Sequence, residues 1–132
     1  MRYMLDTNIC IYIIKHKPEK VFQKLLEFDP EDICISVITY AELLHGVEKS
    51  MARDRNMIAL TLFLSNIEII DYNQKAAMEY GLLKASLEKT GKPIGPFDML
   101  IASHAKSLGY TLVTNNTKEF ERVEGLSLEN WI

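Results

Sequence analysis

Apolar residues fall along the chain in two rhythms. Short runs such as Arg2-Tyr3-Met4-Leu5, Ile33-Cys34-Ile35-Ser36-Val37, Ile67-Glu68-Ile69-Ile70 and Tyr110-Thr111-Leu112-Val113-Thr114 have the length and the β-branched content of strands. Leu126-Ser127-Leu128 is a candidate fifth. Between these runs the apolar positions recur at three and four residues, as expected of helices with one buried face. The spacing predicts helices over Ile9–Ile14, over Glu19–Phe28 after Pro18, from about Tyr40 to Met51, and from Asp54 to Leu64. A long helix follows the cap residue Asn73 and runs to Lys89 before Gly91, and a last one enters at Gly95-Pro96 and ends at Gly109. Strands separated by helical segments predict an α/β fold: a central parallel sheet with helices on both faces. The chain shows no linker, repeat or low-complexity segment, so residues 1–132 are expected to form one domain.

One helix departs from a clean apolar stripe. In GPFDMLIAS, Asp98 falls on the face of Ile101, Ala102 and Ala105. A bare buried carboxylate costs several kcal/mol, so Asp98 requires a partner, a proton or a metal ion. In an open α/β sheet the ligand site lies beyond the carboxyl ends of the strands, and other acids are expected there too. Asp6 directly follows the first strand. Glu42 lies in the first turn after the second, and Glu119 lies a few residues past the fourth, behind Asn115 and Asn116.

Each of these has a plain structural reading. Asp6, Thr7 or Asn8 would cap the next helix, which leaves Asp6 free if either neighbour takes that role. Thr39 with Glu42 fits a capping box, and asparagines at strand ends form turns. Taken together, three elements bring a carboxylate to one edge and a fourth brings polar groups with another acid. Close carboxylates repel unless one is protonated or a cation sits among them. Donors that are all oxygen favour Mg²⁺, with Mn²⁺ as a substitute, over zinc. Such centres hydrolyse phosphate esters.

Composition narrows the choice of substrate only slightly. A net charge of −3 predicts no general affinity for nucleic acid. Basic residues nevertheless group locally at Lys15, Lys17, Lys20 and Lys24; at Lys49, Arg53 and Arg55; at Lys84, Lys89 and Lys92; and at Lys118 and Arg122. Those groups suit a phosphodiester if they frame the acids. No apolar run reaches the roughly 20 residues of a membrane span, and MRYMLDTN lacks a signal-peptide core, so a cytoplasmic location without membrane contact is expected. Cys10 and Cys34 have no CxxC spacing and are expected to be buried and reduced.

The segments MLDTNI, ITYAELLHG, GPFDMLIASHA and LVTNNTKEFERV closely resemble the PIN-domain toxins of the VapC family, in order and spacing over essentially the whole chain. The resemblance implies a PIN-like parallel sheet and a Mg²⁺-dependent endoribonuclease held silent by a VapB-type antitoxin. It also implies a homodimer and a toxin–antitoxin hetero-oligomer. MLDTNICIYIIKHKP and GPFDMLIASHAKS resemble the enteric branch, which implies tRNA as substrate, at the anticodon region of the initiator tRNA. Carried over by residue, Asp6 and Asp98 hold the metal, Glu42 completes the acidic cluster, and the Thr7 and Thr114 hydroxyls orient the carboxylates.

The chain departs from the family at Asn116, where many PIN domains carry an aspartate. Either Asn116 supplies a neutral oxygen or Glu119 supplies the charge, and three acids would hold a second Mg²⁺ more weakly. His45 and His104 are given no role and are expected to face solvent or a helix neighbour. The Ile9–Ile14 helix, apolar almost all round, is either buried centrally or forms a groove with the Val21–Leu26 helix that takes an antitoxin peptide. A phosphatase or phosphoacceptor needs a second acid after the first strand or a lysine after a late one, and the chain has neither. An idle PIN-like module that binds RNA or protein is the other alternative, kept open by Asn116.

Overall fold

A computed structural model of the chain describes residues 1–132. The strands are β1 (Tyr3–Leu5), β2 (Ile33–Ser36), β3 (Glu68–Ile70), β4 (Thr111–Val113) and β5 (Leu128–Glu129). All pair in parallel, in the order β3-β2-β1-β4-β5. The helices are α1 (Thr7–Lys15), α2 (Glu19–Leu25), α3 (Val37–Glu48), α4 (Arg53–Leu64), α5 (Gln74–Thr90), α6 (Pro96–Leu108) and α7 (Thr117–Phe120). The parallel α/β architecture expected from the spacing is the observed one. No helix is long and apolar enough to cross a membrane.

Alternation along the strands sorts the core into two layers. Met4, Cys34 and Leu112, which sit side by side in register, belong to the layer under α5 and α6. Leu5, Ile33, Ile35 and Val113 point the other way, into the layer built by α1, α3 and α4. Burial on both faces explains why these strands read as near-continuous apolar runs. Both cysteines are buried and unpaired, as expected.

Boundaries differ from the sequence reading in three informative places. Helix α3 starts at Val37, not near Tyr40, because the Ser36 side chain caps it by accepting from the Ile38 amide at 3.0 Å. Val37, Ile38 and Thr39 look like strand residues, but the sheet edge has already ended. The stripe that α3 buries is Thr39, Leu43 and Val47, and Ala41 lies outside it. The short helix α7 was not expected at all. Helix α2 stops at Leu25, three residues early.

Helix α7 is too short to stand on propensity and is held by one side chain. Phe120, 1% exposed, joins the buried cluster that contains Ile94 and Val123. Phe120→Ala should therefore lower stability by about 3 kcal/mol, the usual cost of deleting a buried aromatic. Urea unfolding followed by the fluorescence of Trp131, the only tryptophan, would read this directly.

Candidate active site

Parallel pairing puts the carboxyl ends of β1, β2 and β4 on one edge, and each strand turns there into a helix or loop. Asp6 sits in the turn from β1 to α1 and is 5% exposed. Its Oδ1 accepts from the Ile9 amide at 2.9 Å as the N-cap of α1, and the buried Thr114, just past β4, lies near enough to its carboxylate to favour the charged form. Thr7 opens α1 and donates its hydroxyl to Glu42 Oε1 at 2.6 Å. Asp98 stands half-buried in the first turn of α6. Glu119 arrives from α7, where Oε1 accepts from the Gly95 amide at 2.9 Å and Oε2 from Asn116 Nδ2 at 2.6 Å. A methyl group placed on Gly95 would lie 3.5 Å from Asp98 Oδ2 and 3.9 Å from Glu119 Oε1, so both carboxylates converge over this residue.

The electrostatics follow from crowding. Burial, then the neighbouring Glu119, with Asp6 and Glu42 behind it, push the Asp98 carboxyl up to about 6. Asp6 is raised by burial against the opposing effects of Thr114 and the Ile9 amide. Glu119 moves the other way, held ionised by the Gly95 amide and by Asn116. The Asp98 carboxyl therefore keeps its proton to higher pH than an ordinary aspartate, beside a Glu119 that stays ionised. No lysine, arginine or histidine nitrogen lies within 4.0 Å of any of the four acids.

This donor set fits a hard divalent cation: oxygen atoms only, net negative, and without a side-chain counter-ion. No three acid, histidine or cysteine side chains close tightly enough to enclose an ion unaided. That also suits Mg²⁺, which keeps several waters and uses one or two carboxylates.

The structure corrects several expectations. Asp6 is itself the cap, so one oxygen serves the helix while the carboxylate still lies among the acids. Thr39 sits inside α3, so the expected capping box does not form, and Glu42 is held by Thr7 instead. Asn116 spends its amide on Glu119, which brings Glu119 into the cluster and leaves Asn116 as its support.

His104 was expected at solvent or against a helix neighbour but is 1% exposed. Its Nδ1 lies 2.8 Å from Ser36 Oγ, and its ring meets Tyr72 edge-on at 5.2 Å. Burial lowers its pKa, so it is neutral and ties α6 to the residue that caps α3. Ser36 and His104 were thus missed, and Gly95 was read only as a helix entrance. His45 is exposed.

Of the two alternatives for the Ile9–Ile14 helix, central burial holds for Ile9, Cys10 and Ile13, and Val21 of α2 is fully buried in the same layer. A cavity of about 290 Å³ lies between α1, α3 and α4, walled by Ile11, Ile14, Leu43, Val47 and Leu60, with Glu42 also in its lining.

Comparison with known proteins agrees with this geometry. Residues 3–126 match the PIN domain family. The chain is 47% identical over 131 residues to the tRNA(fMet)-specific endonuclease VapC of Shigella flexneri, covering 99% of this chain and 98% of that protein. It is 47% identical over 132 residues to Ribonuclease VapC2 of Haemophilus influenzae strain Rd, covering 100% and 99%. Among solved structures, VapBC2 from Rickettsia felis bound to a DNA fragment from its promoter superposes with a TM-score of 0.94 at 47% identity, over 100% of both chains. DNA-bound VapBC from Salmonella typhimurium gives 0.94 at 44% identity, over 100% and 99%. With its acids gathered at the carboxyl edge of a five-stranded parallel sheet and with full-length relatives at this level of identity, the chain belongs to the VapC family of PIN-domain ribonucleases.

Proposed function

We propose that this chain is a toxic, Mg²⁺-dependent endoribonuclease of a type II toxin–antitoxin system that cuts tRNA and is silenced by a VapB-type antitoxin. The observation that carries the reading is the cluster of Asp6, Glu42, Asp98 and Glu119 with no basic side chain in ion-pair reach. Asp6 and Asp98 would hold the ion, with Glu42 and Glu119 completing the negative field; Mn²⁺ suits the same oxygens. When bound, the ion supplies positive charge against the phosphoryl oxygens and acidifies water.

The protein's part is positional. Thr7 fixes one Glu42 oxygen, the Ile9 amide fixes Asp6, and the Gly95 amide and Asn116 fix Glu119. Asp98 gives up its proton when it takes on a charged partner. Glu119, kept ionised, is the group placed to take the proton of the attacking water. In-line attack at phosphorus then leaves a 5′-phosphate and a 3′-hydroxyl.

The Shigella relative's name specifies initiator tRNA, and the Rickettsia and Salmonella structures are VapBC complexes. By analogy the substrate is initiator tRNA in its anticodon region. The antitoxin would lay an apolar segment in the α1–α3–α4 groove, whose lining includes Glu42.

Purified protein should cut total bacterial tRNA at discrete sites with Mg²⁺, and should not do so in EDTA or as Asp98→Asn. An intact tRNA pool with folded wild-type protein would instead favour an idle binding module. Thr7→Val, which removes only the hydroxyl on Glu42, should slow cleavage by about 10- to 100-fold, the usual loss when a ligand's support is deleted.

The raised Asp98 group also makes a stability prediction. Folded at about 6 and ordinary when unfolded, it binds a proton in the native state that the unfolded chain has lost. Its contribution to stability is therefore present below about pH 4 and lost as pH rises to about 6. In EDTA, the melting temperature of the wild type should fall relative to that of Asp98→Asn between pH 5 and 7, with the variant the more stable at pH 7. Taking the difference of the two curves cancels other titrating groups. Mg²⁺ should close the gap.

A further inference from the structure

Outside the acids, α7 borders a second feature that the chemistry above does not use. A cleft of about 790 Å³ opens between the segment 90–93, at the end of α5, and Lys118 of α7 with Glu121 and Arg122 just after it. No large apolar side chain lines it. Lys92, Lys118 and Arg122 set three positive charges against the single acid Glu121.

The walls are built. Gly91, at φ +68°, closes the last turn of α5 in the left-handed conformation, and Arg122 Nη1 donates to the Pro93 carbonyl at 2.9 Å across the cleft. The side chains of Lys92 and Lys118 make no ion pair or hydrogen bond within the chain. Their ammonium groups are available to an outside anion.

The cleft is continuous with the acids. Lys118 adjoins Glu119, and the Arg122 amide bonds the Glu119 carbonyl one turn further on. The 90–93 wall leads directly to Gly95, whose amide holds Glu119. The cationic wall thus borders the acids through the backbone on both of its sides. An overall charge of −3 makes such a local patch the more selective, since the rest of the surface does not attract polyanions.

We propose that this cleft binds the phosphate backbone of the RNA strand next to the cleaved phosphate, with Lys92 and Lys118 as its principal contacts and Arg122 as its rigid wall. The assignment rests on the ribonuclease reading, but it concerns binding and can be tested without cleavage.

The test is binding of fluorescent tRNA in EDTA, measured by anisotropy over a range of KCl, for the wild type and for the double variant Lys92→Gln/Lys118→Gln. Two lost contacts with a single-stranded region should flatten the slope of log Kd against log salt by about 1.4, at about 0.7 each. Hydrolysis of bis(p-nitrophenyl) phosphate with Mg²⁺, which has no flanking backbone, should be unchanged in the variant. An unchanged salt slope, or a wild type that does not bind tRNA, would overturn the proposal. So would polyglutamate competing as well as RNA at equal charge concentration, since the cleft would then be a site for acidic protein. Binding that responds to the variant while tRNA stays uncut with Mg²⁺ would support the cleft and remove the ribonuclease reading, so the two failures are distinguishable.

Discussion

Mutual repulsion among Asp6, Glu42, Asp98 and Glu119 is the constraint around which this molecule is arranged. Two unit charges at 4 Å cost about 4 kcal/mol near a protein surface, and here four acids crowd one edge with no basic side chain in ion-pair reach. Below about pH 6 the protein relieves part of this by holding a proton on Asp98, beside Glu119. The rest is borne by packing: Met99, Ile101, Ala102 and Ala105 anchor α6 in the core and hold Asp98 where it would not otherwise stay. Spending stability this way at one point is what supports the proposal of a cation there, because the charge the cluster lacks is the charge an ion would bring.

Three of the four repelling groups are kept from swinging apart by hydrogen bonds to the framework, and Asp98 is placed by the packing of α6. Asp6 is bound by an amide of its own helix. Glu42 is bound by Thr7, so α1 and α3 are linked through the site itself. Glu119 is bound by the backbone that enters α6 and by Asn116. Deeper down, the His104–Ser36 contact joins the helix that carries Asp98 to the start of the helix that carries Glu42. The acids are thus fixed partly within their own turns, by Ile9 on Asp6 and Asn116 on Glu119, and partly between elements, by Thr7 on Glu42 and Gly95 on Glu119.

That explains what could be read in advance. Strands, layers and the carboxyl edge follow from apolar rhythm and the parallel rule, and Asp98 betrayed itself by sitting on an apolar stripe. The resemblance to VapC toxins named Asp6, Glu42 and Asp98, and left Asn116 or Glu119 to complete the set. The supports that run between elements were not legible because they are long-range. Nothing near Glu42 in the chain announces Thr7, 35 residues away, and a local capping box with Thr39 looked better. Asn116 read as a lost acid, whereas its amide positions one three residues on. His104 looked ordinary because a buried, hydrogen-bonded histidine has no sequence signature apart from its partner. The alternative of a groove was placed against α2 because the apolar surplus of α1 does not say which neighbour leaves it open. Val21 fills one side, and α3 with α4 leaves the other.

The final arrangement separates three kinds of chemistry across a short distance. The apolar groove between α1, α3 and α4 meets the site at Glu42, and the basic cleft between α5 and α7 meets it next to Glu119. A protein segment in the groove and a polyanion in the cleft would therefore approach the same acids from different elements, each recognised by a surface the other cannot use. An inhibitor seated in the groove has no need to cover the cleft. It has only to reach past Glu42 with one positive group, because a cluster poised for a cation accepts a guanidinium or ammonium by the same electrostatics that let it accept a metal.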